Sequence, residues 1–81
     1  MAAPRAGATA HYLALAAATF RGQSRAVLVR RGHAFCRSLQ STRSLDDVVG
    51  NLTAQIGSQP AAYQIVRAAA GAYCPGAVPS G

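Results

Sequence analysis

Two cysteines, Cys36 and Cys74, are all that this chain of 81 residues carries, and their placement constrains the fold more than any other feature. A chain this short buries only roughly 60–65% of the surface it exposes when unfolded. Its core rarely supplies more than about 3–5 kcal/mol, so a covalent staple would weigh as much as the rest of the net stability. Cys36 lies in Gly32-His33-Ala34-Phe35-Cys36-Arg37-Ser38-Leu39, and Cys74 in Ala72-Tyr73-Cys74-Pro75-Gly76. No C-x-x-C spacing marks a redox pair, which leaves a structural disulfide or two buried thiols. The disulfide is the favoured reading: closing a loop of about 39 residues contributes roughly 4 kcal/mol in the chain-entropy model.

The chain reads as organised around the helix that holds Cys36, predicted from Arg25 to Gln40 and capped by Ser24. At about 100° per residue, Leu28, Gly32, Phe35, Cys36 and Leu39 share one face, with Arg30 and Arg37 opposite and Arg31 flanking the seam. Gly32 in mid-helix costs up to about 1 kcal/mol relative to alanine. Its expected use is the close approach of a neighbour such as the Ala-rich last helix. An earlier helix is predicted over Ala8–Phe20, with Tyr12, Leu15, Ala16 and Phe20 at helical spacing. The same run, Arg5 followed by Tyr12 to Ala18, also has the outline of a short signal peptide.

Ser44-Leu45-Asp46-Asp47 reads as a capping box that starts a third helix. Its apolar stripe is Leu45, Val48, Val49, Leu52 and Ile56, and Gly57 ends it. Ser58-Gln59-Pro60 begins the last helix, with Pro60 at a first-turn position. Ala62, Ile65, Val66, Ala69 and Tyr73 form its buried face, and Pro75 stops it at Cys74. The expected fold is therefore all-α: a small bundle of three to four short helices stapled by one disulfide. A single domain over 8–75 would lie between disordered tails, 1–7 and 76–81.

Charge is lopsided. All eight basic residues are arginine, against two acidic residues, for a net charge of +6. Arginine suits phosphate and carboxylate recognition, and Arg25, Arg30, Arg31 and Arg37 form a candidate anion-binding surface. A GC-rich coding bias would produce the same excess of Ala, Arg and Gly without selection. Nucleic-acid binding through Arg21, Arg25, Arg30, Arg31, Arg37 and Arg43 is the competing functional reading. It lacks a helix-turn-helix signature and any interleaving of basic and aromatic residues.

Catalysis finds little to work with. The chain has no glutamate, and its two aspartates are accounted for as helix-capping residues. His33 and Cys36 stand three apart and would make a Cys2His2 set with Cys74 and His11, but the spacing matches no known ligand pattern. No catalytic residue, metal or cofactor is therefore assigned. Asn51-Leu52-Thr53 matches the glycosylation sequon inside a predicted helix. No stretch reaches the roughly 20 apolar residues of a membrane span.

The order Tyr12-Leu13, Gly32-His33-Ala34-Phe35-Cys36, Leu39, Asp47-Val48-Val49, Leu52, Ile65-Val66 and Ala68-Ala69-Ala70-Gly71-Ala72-Tyr73-Cys74-Pro75 resembles the family called domain of unknown function 732. Its members are small secreted or envelope proteins of actinobacteria. The resemblance runs from about Tyr12 to Pro75 and is most specific at the helical cysteine and the terminal Tyr-Cys-Pro. It implies a short helical domain with paired cysteines and no assigned activity. It also implies export, with any leader encoded upstream of Met1, since no clear signal peptide stands in this reading frame. The functional expectation is a non-catalytic binding module of the secreted or cell-envelope compartment. Its partner would be an envelope protein or an anionic surface, with no specific nucleic acid.

Overall fold

The computed structural model describes residues 5–77; the expectations for 1–4 and 78–81 fall outside them. Four helices follow one another: α1 (Arg5–Thr19), α2 (Arg25–Thr42), α3 (Leu45–Ile56) and α4 (Gln59–Tyr73). The fold is all-α, a small helical bundle closed by a Cys36–Cys74 disulfide.

The element that organises the bundle is α4, and the expectation that α2 plays this part needs correction. Helix α4 packs against each of the other three, whereas α1 and α3 hardly touch. The reason lies in side-chain size. Ala62, Ala69, Ala70 and Ala72 are buried on α4 beside Ile65 and Val66, and small side chains let three neighbours approach one axis. Helix α1 lays Tyr12 and Ala16, both fully buried, into this core. The Tyr12–Ala18 run is thus a core helix here. Helix α3 adds Val48, Val49 and Leu52.

Helix ends follow their capping chemistry with two departures. Ser24, Ser44 and Ser58 accept backbone N–H bonds from Val27 at 3.3 Å, Asp47 at 3.1 Å and Ala61 at 3.4 Å. At α3 the reciprocal half of the capping box is absent. The Ser44 N–H donates to the Thr42 hydroxyl at 3.2 Å, leaving Asp47 exposed. Its carboxylate still sits at the positive end of the helix dipole. The other departure is at the first and second helices: α1 begins at Arg5, within the expected tail, and α2 runs on to Thr42.

Helix α2 ends on Arg43, which adopts the left-handed conformation at φ 53°, ψ 28° and donates its N–H to the Leu39 carbonyl at 2.8 Å. That conformation costs a residue with a Cβ about 1–2 kcal/mol, and glycine is the usual occupant. Arg43→Gly should therefore stabilise the domain by about 1 kcal/mol, raising the melting temperature by about 4–8 °C. A calorimetric midpoint that stays put or falls would show that the arginine side chain compensates for the strain.

Candidate binding site

The staple is buried. Cys36 and Cys74 are 5% and 9% exposed, and their Cα atoms lie 5.9 Å apart, within the range a disulfide needs. The bridge joins the inner stripe of α2 to the residue that caps the C-terminus of α4. With both sulfurs oxidised, neither is available as a thiolate ligand. Among the described residues no group of three or more His, Cys, Asp or Glu converges on a point.

Beside the bridge, three rings close over Gly32. The Tyr73 ring lies edge-on to Tyr12 with centroids 5.7 Å apart, and stacks at 4.2 Å on His33. A Cβ built on Gly32 would stand only 2.5 Å from the Tyr73 ring and 3.0 Å from that of Tyr12. The predicted close approach at Gly32 is thus made by two tyrosine rings, Tyr73 from the end of α4 and Tyr12 from α1. The Tyr12 hydroxyl donates to the Leu28 carbonyl at 2.6 Å. Burial, with Tyr73 adding and Arg31 opposing, pushes its pKa up to about 12, so it remains a donor throughout the neutral range. The Tyr73 hydroxyl is buried with no partner among the described residues; the ring is what this cluster uses.

Arg25, Arg30 and Arg37 are exposed, whereas Arg31 is half-buried. Only Arg31 is held in place on two sides. Its guanidinium carbon lies 4.3 Å above the Phe20 ring, and its Nε donates to the Gln23 side-chain oxygen at 2.8 Å. Both partners are neutral, so its charge is positioned without being neutralised by them. Arg21 reaches back to the Ala18 carbonyl at 3.5 Å. Arg67 lies against Tyr63, donating to its hydroxyl at 3.1 Å.

Arg31 stands at the edge of a cleft between α2 and α3, with a volume of about 410 Å³. Ala34 and Phe35 are its partly exposed apolar lining, over the buried Val48 and Leu52, and Ser38, Asn51 and Gln55 join Arg31 as its polar lining. On each helix these positions recur at i, i+3, i+4 and i+7, one face of a helix. Two further hollows differ in character. One of about 390 Å³ between α1 and α4 involves His11, Tyr63 and Arg67. Another of about 300 Å³ beside Cys74 is bounded by Arg43, Gly76 and Ala77.

Sequence reasoning singled out Arg31 and the disulfide but missed Ser38, Asn51, Phe35 and Gln55 as cleft residues. Phe35, on the apolar stripe of α2, packs partly buried against the core and also lines the cleft. The available signal was the polar pair Asn51 and Gln55, four apart and flanking Leu52. The sequon drew attention to Asn51 for a different reason.

The architecture defines a class: a small all-α domain with a covalently pinned hub helix and an open cleft. Over residues 6–76 the chain matches the model of the family described as protein of unknown function DUF732, and it belongs to that family. Comparison with curated proteins and with solved structures finds no match to either. No helix among the described residues is long and apolar enough to cross a membrane.

Proposed function

We propose that this protein is a non-catalytic binding module of the secreted or cell-envelope compartment. The observation that carries the reading is the buried Cys36–Cys74 bridge fixing the hub helix to α2. Disulfides persist in oxidising compartments and are rare in a reducing cytosol. Support for binding comes from the α2–α3 cleft, which combines apolar surface, neutral polar groups and one positioned cation. Such a mixture is typical of recognition sites. Asp46 and Asp47 sit exposed in the first turn of α3, at the positive end of its dipole, a structural use that supports a role without acid–base chemistry.

The competing reading, nucleic-acid binding, draws no support from the arginines, which point from the α1–α2 loop, several faces of α2 and the α2–α3 turn without forming one stripe. Any such binding should be weak, indifferent to sequence, and lost steeply between roughly 50 and 200 mM salt. The test is to trap thiols by rapid alkylation in the native cell and to fractionate the same cells. An oxidised pair in the exported or envelope fraction is expected. A reduced pair in the cytosol would overturn the compartment assignment.

A further inference from the structure

Resting on the binding-module reading, we infer that the α2–α3 cleft recognises the carboxyl-terminal end of a short apolar peptide. Three features of the cleft select this chemistry together. Its apolar wall, Phe35 and Ala34 standing partly exposed over the buried Val48 and Leu52, suits aliphatic side chains. Its neutral polar groups, the carboxamides of Asn51 and Gln55 and the Ser38 hydroxyl, both donate and accept. That matches the alternating N–H and C=O groups of a peptide backbone, whereas a fatty acid offers no such groups along its body.

The third feature is charge. Arg31 is the sole ionic group lining the cleft. Phe20 and Gln23 orient it through its ring-facing plane and its Nε. Among the described residues its two terminal nitrogens make no hydrogen bond, which leaves the guanidinium fork for a carboxylate. Neither acidic residue of the chain lines this cleft, so the complementary charge is to come from the ligand.

Length fits the same ligand. From Ser38 to Arg31 is two turns of α2, about 10 Å at 1.5 Å per residue. An extended peptide covers that distance in about three residues at 3.3 Å each. Arg31 and Gln55 are the lining residues furthest along their helices from the α2–α3 turn, and Ser38 and Val48 the nearest. The carboxylate is therefore placed at the end away from the α2–α3 turn, with the preceding side chains running toward the turn.

The probe is N-acetyl-Ala-Leu-Leu with a free carboxylate, titrated into the isotope-labelled oxidised protein while backbone amide shifts are followed. Saturable shifts are expected in Arg31–Ser38 and Val48–Gln55. The carboxamide form of the same peptide should bind about ten- to a hundredfold more weakly, the range for loss of a charge-assisted hydrogen bond. Arg31→Gln should show the same loss and no longer distinguish acid from amide, while Arg31→Lys retains part of the discrimination. Because Arg31 also packs on Phe20, a double variant at exposed positions, Asn51→Ala with Gln55→Ala, provides a second reading and should weaken the acid severalfold without unfolding the domain. Equal affinity for acid and amide would overturn the assignment, as would octanoate binding the cleft more tightly than the peptide. Saturable shifts confined to the α1–α4 hollow would overturn the cleft while sparing the binding-module reading. No saturable shift anywhere, with peptide or octanoate, would overturn the cleft assignment and leave the binding-module reading to its own test.

Discussion

Complete reduction of the Cys36–Cys74 bridge, or its replacement by Cys36→Ala with Cys74→Ala, should lower the stability of the domain by about 2–5 kcal/mol. The bridge spans 38 residues of sequence, for which the loop-entropy model gives about 4 kcal/mol. A domain of 81 residues has a total stability of about 4–12 kcal/mol, so the loss is a large part of the whole. In temperature it corresponds to about 10–30 °C of melting midpoint. The structural position of the bridge adds to the entropic argument. It secures the end of α4, the helix on which all three others pack, at the point where the chain leaves that helix. Alanine is the better substitute because Cys36 is only 5% exposed, and a serine hydroxyl there would introduce a second cost. Alkylation mass spectrometry verifies full reduction, and calorimetry reads the midpoint. An unchanged midpoint in the fully reduced protein would show that helix packing alone sustains the fold.

Much of this architecture was legible in the residues because α2, α3 and α4 carry start signals, and α3 and α4 stop signals as well. Ser24 and Ser44 cap where expected, and Ser58 caps the helix that Ser58-Gln59-Pro60 is expected to begin. Gly57 ends α3 in the left-handed conformation at φ 78°. The cysteine pairing was legible because only one pair exists. What stayed hidden depends on relations between helices, which a one-dimensional pattern does not encode. The hub role of α4 is one case: alanine contributes little to a hydrophobic stripe, yet its small size is what admits three neighbours. The end of α2 is another. Thr42 donates its hydroxyl to the Ser38 carbonyl at 2.9 Å and also accepts the Ser44 N–H, linking two helices across what reads as a polar turn.

The cleft was illegible for a related reason. Phe35 lies on the apolar stripe of α2 in any helical projection, and only the packing of α3 beside α2 makes it part of a cleft lining. Arg31 was recognised as flanking the seam, but its fixation by Phe20 and Gln23 depends on how the α1–α2 loop folds back. Of four arginines proposed for one anion surface, the fold positions one against the cleft and leaves Arg25, Arg30 and Arg37 exposed. Charge counted along a sequence does not report which cations are oriented.

Two helical glycines, Gly32 and Gly50, are given opposite signs by their surroundings in the structure. Gly50 lies exposed within α3, and a Cβ there meets nothing within 4 Å. Gly50→Ala should therefore stabilise by up to about 1 kcal/mol through helix propensity alone. Gly32 would gain the same propensity, but its Cβ would stand 2.5 and 2.9 Å from two atoms of the Tyr73 ring. That ring has little room to move. His33 stacks on it at 4.2 Å, Tyr12 abuts it, and the adjoining Cys74 is covalently tied to α2. Tyr12 is held in turn by its 2.6 Å bond to the Leu28 carbonyl. Overpacking of this kind costs about 1–3 kcal/mol, which exceeds the gain in propensity. Gly32→Ala should consequently lower stability by up to about 2 kcal/mol, and Tyr73→Ala in the same chain should abolish most of the difference between glycine and alanine at position 32, since a double-mutant cycle isolates their contact. Denaturant midpoints of the four proteins in the cycle, with Gly50→Ala as the control, measure it. If Gly32→Ala raises the midpoint as Gly50→Ala does, the tyrosine rings are not packed against the backbone of α2 as described.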